Sequence, residues 1–189
     1  MNVLIALCLA LMLASGPAVT QDQGDVPALR ARLFAELKAA PSQARGRAVE
    51  DAIWRMWMAQ APNEAIRSDV ADAMAARERH ELGRALDLLD GVVVAAPDYA
   101  EGWNQRAFIH FLKGNPDEAL ADIDRALALE PKHFGALSGK AIVLMSQGRM
   151  KLAQQALRRA VDIHPWLKER SLLLPEDADT PPPPAGDDI

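Results

Sequence analysis

One spacing constrains this chain more than any other feature, and it is 34 residues. Pro97, Pro131 and Pro165 stand 34 apart, and so do Gly114 and Gly148. Ala85, Ala119 and Ala153 keep the same step, as do Leu89, Ile123 and Leu157, and Ala73, Ala107 and Ala141. Val92, Ala126 and Ala160 form a further column. Small residues at a fixed period mark places where backbones approach closely, and a proline at each period end stops a helix. Between these marks apolar residues recur at helical spacing, and no segment alternates with period two over a useful length. Composition agrees: the chain is 50% hydrophobic but only 5% aromatic, rich in Ala and Leu. The pattern predicts an all-α protein whose units are two antiparallel helices joined by a tight turn. One such hairpin cannot bury its apolar faces, so the units must stack.

Local signals place the helices. Leu29, Leu33, Phe34 and Leu37 share one face, and Ser42 opens a second helix carrying Val49, Ala52, Ile53, Met56 and Trp57. Asn63 is an N-cap candidate, and Asp98 with Glu101 has the spacing of a capping box. Asn115-Pro116-Asp117-Glu118 is a dense helix start, and Gly114 is placed to end the helix before it.

These columns resemble the tetratricopeptide repeat. Residues 100–133 match best, with Trp103, Ala107, Gly114, Ala119, Ile123, Ala126 and Pro131 in place; residues 134–167 follow with Leu137, Ala141, Gly148, Ala153, Leu157 and Pro165. Residues 66–99 are a degenerate unit, with Asp69 at the usual aromatic position and His80 at the usual turn glycine, so the turn is expected to shift toward Gly83. The resemblance implies a right-handed superhelix of helix pairs, an α-solenoid. Residues 27–62 form a helix pair out of register, expected to be an N-terminal cap or a degenerate repeat. Residues 166–174, with Trp166 and Leu172-Leu173-Leu174, are expected to form a short capping helix over the open C-terminal end.

The two chain ends differ from the repeats. Residues 3–14 are an uncharged apolar run, followed by Ser15-Gly16-Pro17-Ala18. Twelve helical residues reach only ~18 Å, short of a ~30 Å hydrocarbon core. Residues 1–20 therefore read as a secretory signal peptide cut after Ala18 or Thr20, with 21–26 a spacer. Cys8 lies inside that run, so the mature chain would hold no cysteine, which suits an oxidising compartment. Residues 175–189 hold five acids, no base and the run Pro181 to Pro184, and are expected to be an extended, disordered tail. Those five acids account for the whole net charge of −5.

Candidate chemistry is sparse. His80, His110, His133 and His164 are scattered, with no pair three or four apart. No Gly-rich phosphate loop or Gly-x-Ser-x-Gly occurs, and Asp87, Asp90, Asp122 and Asp124 read as carboxylates on solvated helix faces. No enzyme activity, cofactor or metal is expected. Trp54 and Trp57 read as core of the N-terminal pair, and Trp103 as repeat core. The family resemblance implies that the first helix of each unit lines a concave groove that binds a peptide or helix of another protein. Its groove positions map onto Arg67, Met74 and Arg77, then Asn104, Phe108, Phe111 and Leu112, then Ile142 and Met145. The liner is largely apolar and lacks the Lys, Arg and Asn clamp of relatives that bind a carboxylate terminus. The expectation is a non-enzymatic adaptor in the bacterial envelope, periplasmic or secreted, with no nucleic-acid partner and no membrane insertion of the mature chain. The alternative is an obligate accessory subunit of an envelope assembly complex.

Overall fold

The computed structural model describes residues 26–175. The expected signal peptide, most of the spacer and the tail beyond Pro175 lie outside the described residues. Among those described there are eight α-helices and no strand. They are α1 (Val26–Lys38), α2 (Gln43–Ala59), α3 (Glu64–Glu78), α4 (Leu82–Ala95), α5 (Ala100–Leu112), α6 (Pro116–Leu129), α7 (Phe134–Ser146) and α8 (Met150–Ile163), followed by a 3-10 turn, Lys168–Leu172. The fold is an all-α, tetratricopeptide-like superhelix in which α3/α4, α5/α6 and α7/α8 are successive antiparallel pairs.

The repeat columns explain the packing. Ala85, Ala119 and Ala153 have no exposed surface, and Leu89, Ile123 and Leu157 fill the space beside them. A Cβ is all that fits where helices cross so closely. Gly114 and Gly148 take φ of 80° and 72°, the left-handed turn that lets each second helix fold back on the first. In the first unit His80 itself takes this conformation, with φ 61°. The turn is not shifted to Gly83, because His80 accepts the left-handed geometry in place of a glycine.

Capping follows the sequence only in part. Ser42 and Asn63 each accept a backbone N–H from the residue three places on. Asp98 and Glu101 do not form a capping box: α5 starts after Tyr99 without a side-chain cap, and Glu101 is buried. Burial gives its carboxylate interior donors, described below, in place of a solvent-facing backbone N–H.

The largest departure concerns α1 and α2. They neither stack ahead of the first repeat as a cap nor continue the repeat array. They run back across the turns that join one repeat to the next, as a strap along one edge of the solenoid. At the C-terminal end of α2 the Tyr99 hydroxyl donates to the Met58 carbonyl at 3.4 Å. In the same last turn, Trp57 stacks on His133 at 3.9 Å and 14°, and its Nε1 donates to Glu130 at 3.4 Å. In the middle of α2, Glu50 accepts from His164 Nε2 at 3.1 Å. Gly46 lies against Trp166, where an added Cβ would come within 2.8 Å of the indole. The indole Nε1 donates to the Ala40 carbonyl at 2.9 Å, and Arg30 pairs with Glu130. One apolar cluster therefore unites Leu37, Ile53 and Trp57 with Phe134, Leu137, Leu157 and Leu167 of the last repeat.

This strap also packs against α8 at the C-terminal end of the stack. The expected capping helix over 166–174 is reduced to the 3-10 turn, and Leu172 and Leu174 remain 45% and 41% exposed. Gln154 of α8 secures that segment by donating to the Leu172 carbonyl at 3.0 Å and accepting from the Leu174 N–H at 2.8 Å.

Candidate concave groove

Helical periodicity builds the groove. Asn104, Phe108 and Phe111 are spaced i, i+4, i+7 and share one face of α5, while Ala107 and Ile109 turn into the core. Ser138, Gly139 and Ile142 present the equivalent face of α7, and Met74 with Arg77 that of α3. Together they enclose a cavity of about 350 Å³ that crosses the first helix of all three repeats. Its walls are chiefly apolar, and Phe108 is 45% exposed within it. The Arg77 guanidinium lies 5.1 Å from the centre of the Phe108 ring.

Of the nine expected groove residues, six line the cavity: Met74, Arg77, Asn104, Phe108, Phe111 and Ile142. Three do not. Arg67 is exposed and pairs with Glu64 one turn before it. Leu112, at the last position of α5 and one turn beyond Phe108, is 44% exposed and does not line the cavity. Met145 packs against the cluster shared by the strap and the last repeat. Two wall residues come from outside the repeats. Trp54 comes from the strap and is half buried, so it is not purely core; its ring would touch a Cβ added at Gly135 at 3.0 Å. Glu169 comes from the 3-10 turn. Neither carries a periodic signal, since both reach the groove from outside the repeats.

A buried polar relay ties the groove to the strap. Arg77 donates to Gln105 Oε1 at 3.1 Å, and Gln105 Nε2 donates to Glu101 at 2.6 Å. His133 Nδ1 accepts the Ala136 N–H at 3.1 Å, so the ring proton sits on Nε2 and is donated to Glu101 at 2.9 Å. Glu101 and His133 side chains have no exposed surface, and His133 stacks on Trp57. Satisfied on all sides, this relay orients Gln105 and Arg77 at the groove wall.

The other candidate polar groups serve structure. Asp122 is 4% exposed, not on a solvated face. Arg106 grips both its oxygens at 2.7 Å and reaches Asp90 at 2.9 Å, which holds the guanidinium above its usual range. Trp103 is half buried beside Arg106 and donates to the Pro97 carbonyl at 2.9 Å, so it pins the inter-repeat turn. His110 Nε2 lies 3.8 Å from Asp122. Among the described residues no group of three or more His, Cys, Asp or Glu is arranged to hold a metal ion. No described helix is long and apolar enough to cross a membrane.

Comparison with known proteins places this geometry. Among solved structures, the first tetratricopeptide domain of Spaghetti (RPAP3), bound to an HSP90 peptide, superposes with a TM-score of 0.56 at 16% identity, covering 58% of this chain and 86% of that one. The Sgt2 domain from Aspergillus fumigatus gives 0.53 at 22% identity, over 68% and 91%. Both likenesses concern the fold. In sequence, a TPR repeat-containing protein of Rhizobium etli is 47% identical over 81 residues, 43% of this chain and 40% of that protein. Anaphase-promoting complex subunit 7 of Dictyostelium discoideum is 33% identical over 72 residues, 38% of this chain and 12% of its own length. The chain thus spans well under half the length of these relatives. The tetratricopeptide repeat model matches residues 70–129 and 110–165, which together make just over half of the sequence. On that match and the fold, the chain belongs to the tetratricopeptide repeat family.

Proposed function

We propose that this protein is a non-enzymatic adaptor of the bacterial cell envelope, exported by residues 1–20, that holds a segment of a partner protein in its concave groove. The family and fold support a protein–protein interaction scaffold. The observation that carries the groove reading is Phe108, 45% exposed in a cavity of about 350 Å³ crossing three repeats. Large aromatics left open in a concave apolar surface are typical anchors, each contributing roughly 1.5–3 kcal/mol when buried by a partner. The 47% identical relative in Rhizobium etli supports a bacterial setting, and the apolar run at residues 3–14 supports export.

The test is a Phe108→Ala, Ile142→Ala double variant. Both side chains stand at the groove surface, so its thermal midpoint stays close to that of the parent. Capture of the envelope partner falls at least about tenfold. Unchanged capture with a lowered midpoint refutes the groove. Export is checked by fusing residues 1–20 to a reporter active only outside the cytoplasm; a native protein that retains Met1 refutes cleavage.

A further inference from the structure

The groove carries opposite charge at its two ends. Arg77 stands at the α3 end, beside Phe108. Glu169 stands at the other, on the 3-10 turn that follows α8. Glu169 is half buried, faces the cavity and has no hydrogen bond or ion pair with any described residue. A carboxylate held in partly apolar surroundings without a cation is an incomplete pair. Between the two charges the wall is apolar: Phe108, Phe111 and Ile142. The Asn104 side chain uses its NH₂ toward Glu101 at 3.4 Å, and its carbonyl oxygen accepts from no described group. Stacked helices lie ~8–10 Å apart, so α3 to α7 is two spacings, roughly 16–20 Å. That is the span of about five or six residues of extended chain.

We propose that the groove takes a short extended segment of another protein with an acidic side chain at one end, large apolar side chains in the middle and a basic side chain at the other end. The acid lies beside Arg77 and the base beside Glu169. The Asn104 oxygen accepts a backbone N–H from the segment. This rests on the interaction-module reading and names the ligand class for it. The chain's own acidic end is a poor occupant: residues 176–189 hold Glu176, Asp177, Asp179, Asp187 and Asp188 but no base to meet Glu169.

The test selects binders from a random heptapeptide library displayed on phage, against the full chain and its Glu169→Lys variant. Glu169 makes no bond within the described residues, so the variant keeps its thermal midpoint. The parent enriches peptides with an acid and a base four or five positions apart around Phe, Leu, Met or Trp. The variant enriches peptides with an acid in place of that base. A peptide selected by the parent binds the variant about three- to tenfold more weakly, the range of a rim charge pair. Peptides that need Phe108 but bind parent and Glu169→Lys alike overturn this inference and leave the groove reading standing. Failure to enrich any peptide that Phe108→Ala releases overturns both. Stronger capture after deletion of residues 176–189 assigns the groove to the chain's own end and overturns the proposal.

Discussion

Trp57→Ala separates a strap from a cap. Trp57 is 1% exposed and touches the junction between the second and last repeats through three groups: the stacked His133 ring at 3.9 Å, the Phe134 ring at 5.0 Å, and Glu130, which accepts its indole N–H. Truncating a buried tryptophan costs about 3–5 kcal/mol, transfer and cavity together. For a domain of this size that lowers the melting temperature by roughly 6–20 °C. The informative readout is where the loss falls. Stability in a repeat stack is a sum of neighbour interfaces, so removing one interface loosens the elements on either side of it. Here those elements are α1 and α2 on one side and α7 and α8 on the other. Hydrogen exchange of the full chain should show protection in α1, α2 and α8 falling together by about a hundredfold or more. Loss confined to α1, α2, α3 and α4, with α8 unchanged, would place the hairpin ahead of the first repeat and refute the strap.

Two further perturbations test the repeat geometry and the strap's charge pairing. His80→Gly removes a non-glycine residue from φ 61° and should raise stability by about 0.5–1 kcal/mol, seen as a later urea midpoint; an earlier midpoint refutes the account of that turn. Glu50 is held below the usual carboxylate range, chiefly by the hydrogen bond from His164 and against the opposing effect of burial. A depressed folded value means that its contribution is fully present above the unfolded value of ~4.3 and is lost as pH falls through the folded one. Urea midpoints should therefore fall more steeply with acidification for the parent than for Glu50→Gln, and parallel profiles refute the linkage.

The repeats were legible because their physics is local. A residue in the 34-step column meets its own hairpin partner or the next unit, so Ala119 and Ala153 announce a close helix crossing by their spacing alone. The groove face was legible for the same reason. Helical phase on α3, α5 and α7 brings Met74, Arg77, Asn104, Phe108, Phe111 and Ile142 to one cavity. That phase failed at Met145, where the face turns from the cavity toward the strap cluster. Nothing in the period anticipates the strap, so an outside helix claiming part of the last repeat could not be foreseen from it.

The strap is non-local by construction: Arg30 meets Glu130 and Ala40 meets Trp166, pairs separated by 100 and 126 residues. Periodicity carries no information at that range, yet the repeats hold an indirect sign of it. The residue before each repeat-ending proline is Ala96, Glu130 or His164, and all three are buried, at 7%, 3% and 0%. A buried ionisable group requires a partner, and the column itself offers only helix ends and an alanine. Glu130 finds Arg30 and the Trp57 indole, and His164 finds Glu50; every one of these partners lies on α1 or α2. Ala96, with no such need, sits at the turn where Tyr99 donates to the Met58 carbonyl of α2. An ionisable side chain in a buried repeat column, where a sister unit has alanine, therefore points to a contact supplied from outside the repeats. By that physical criterion Glu130 and His164 locate the strap's path across the second inter-repeat turn and the turn that follows the last repeat.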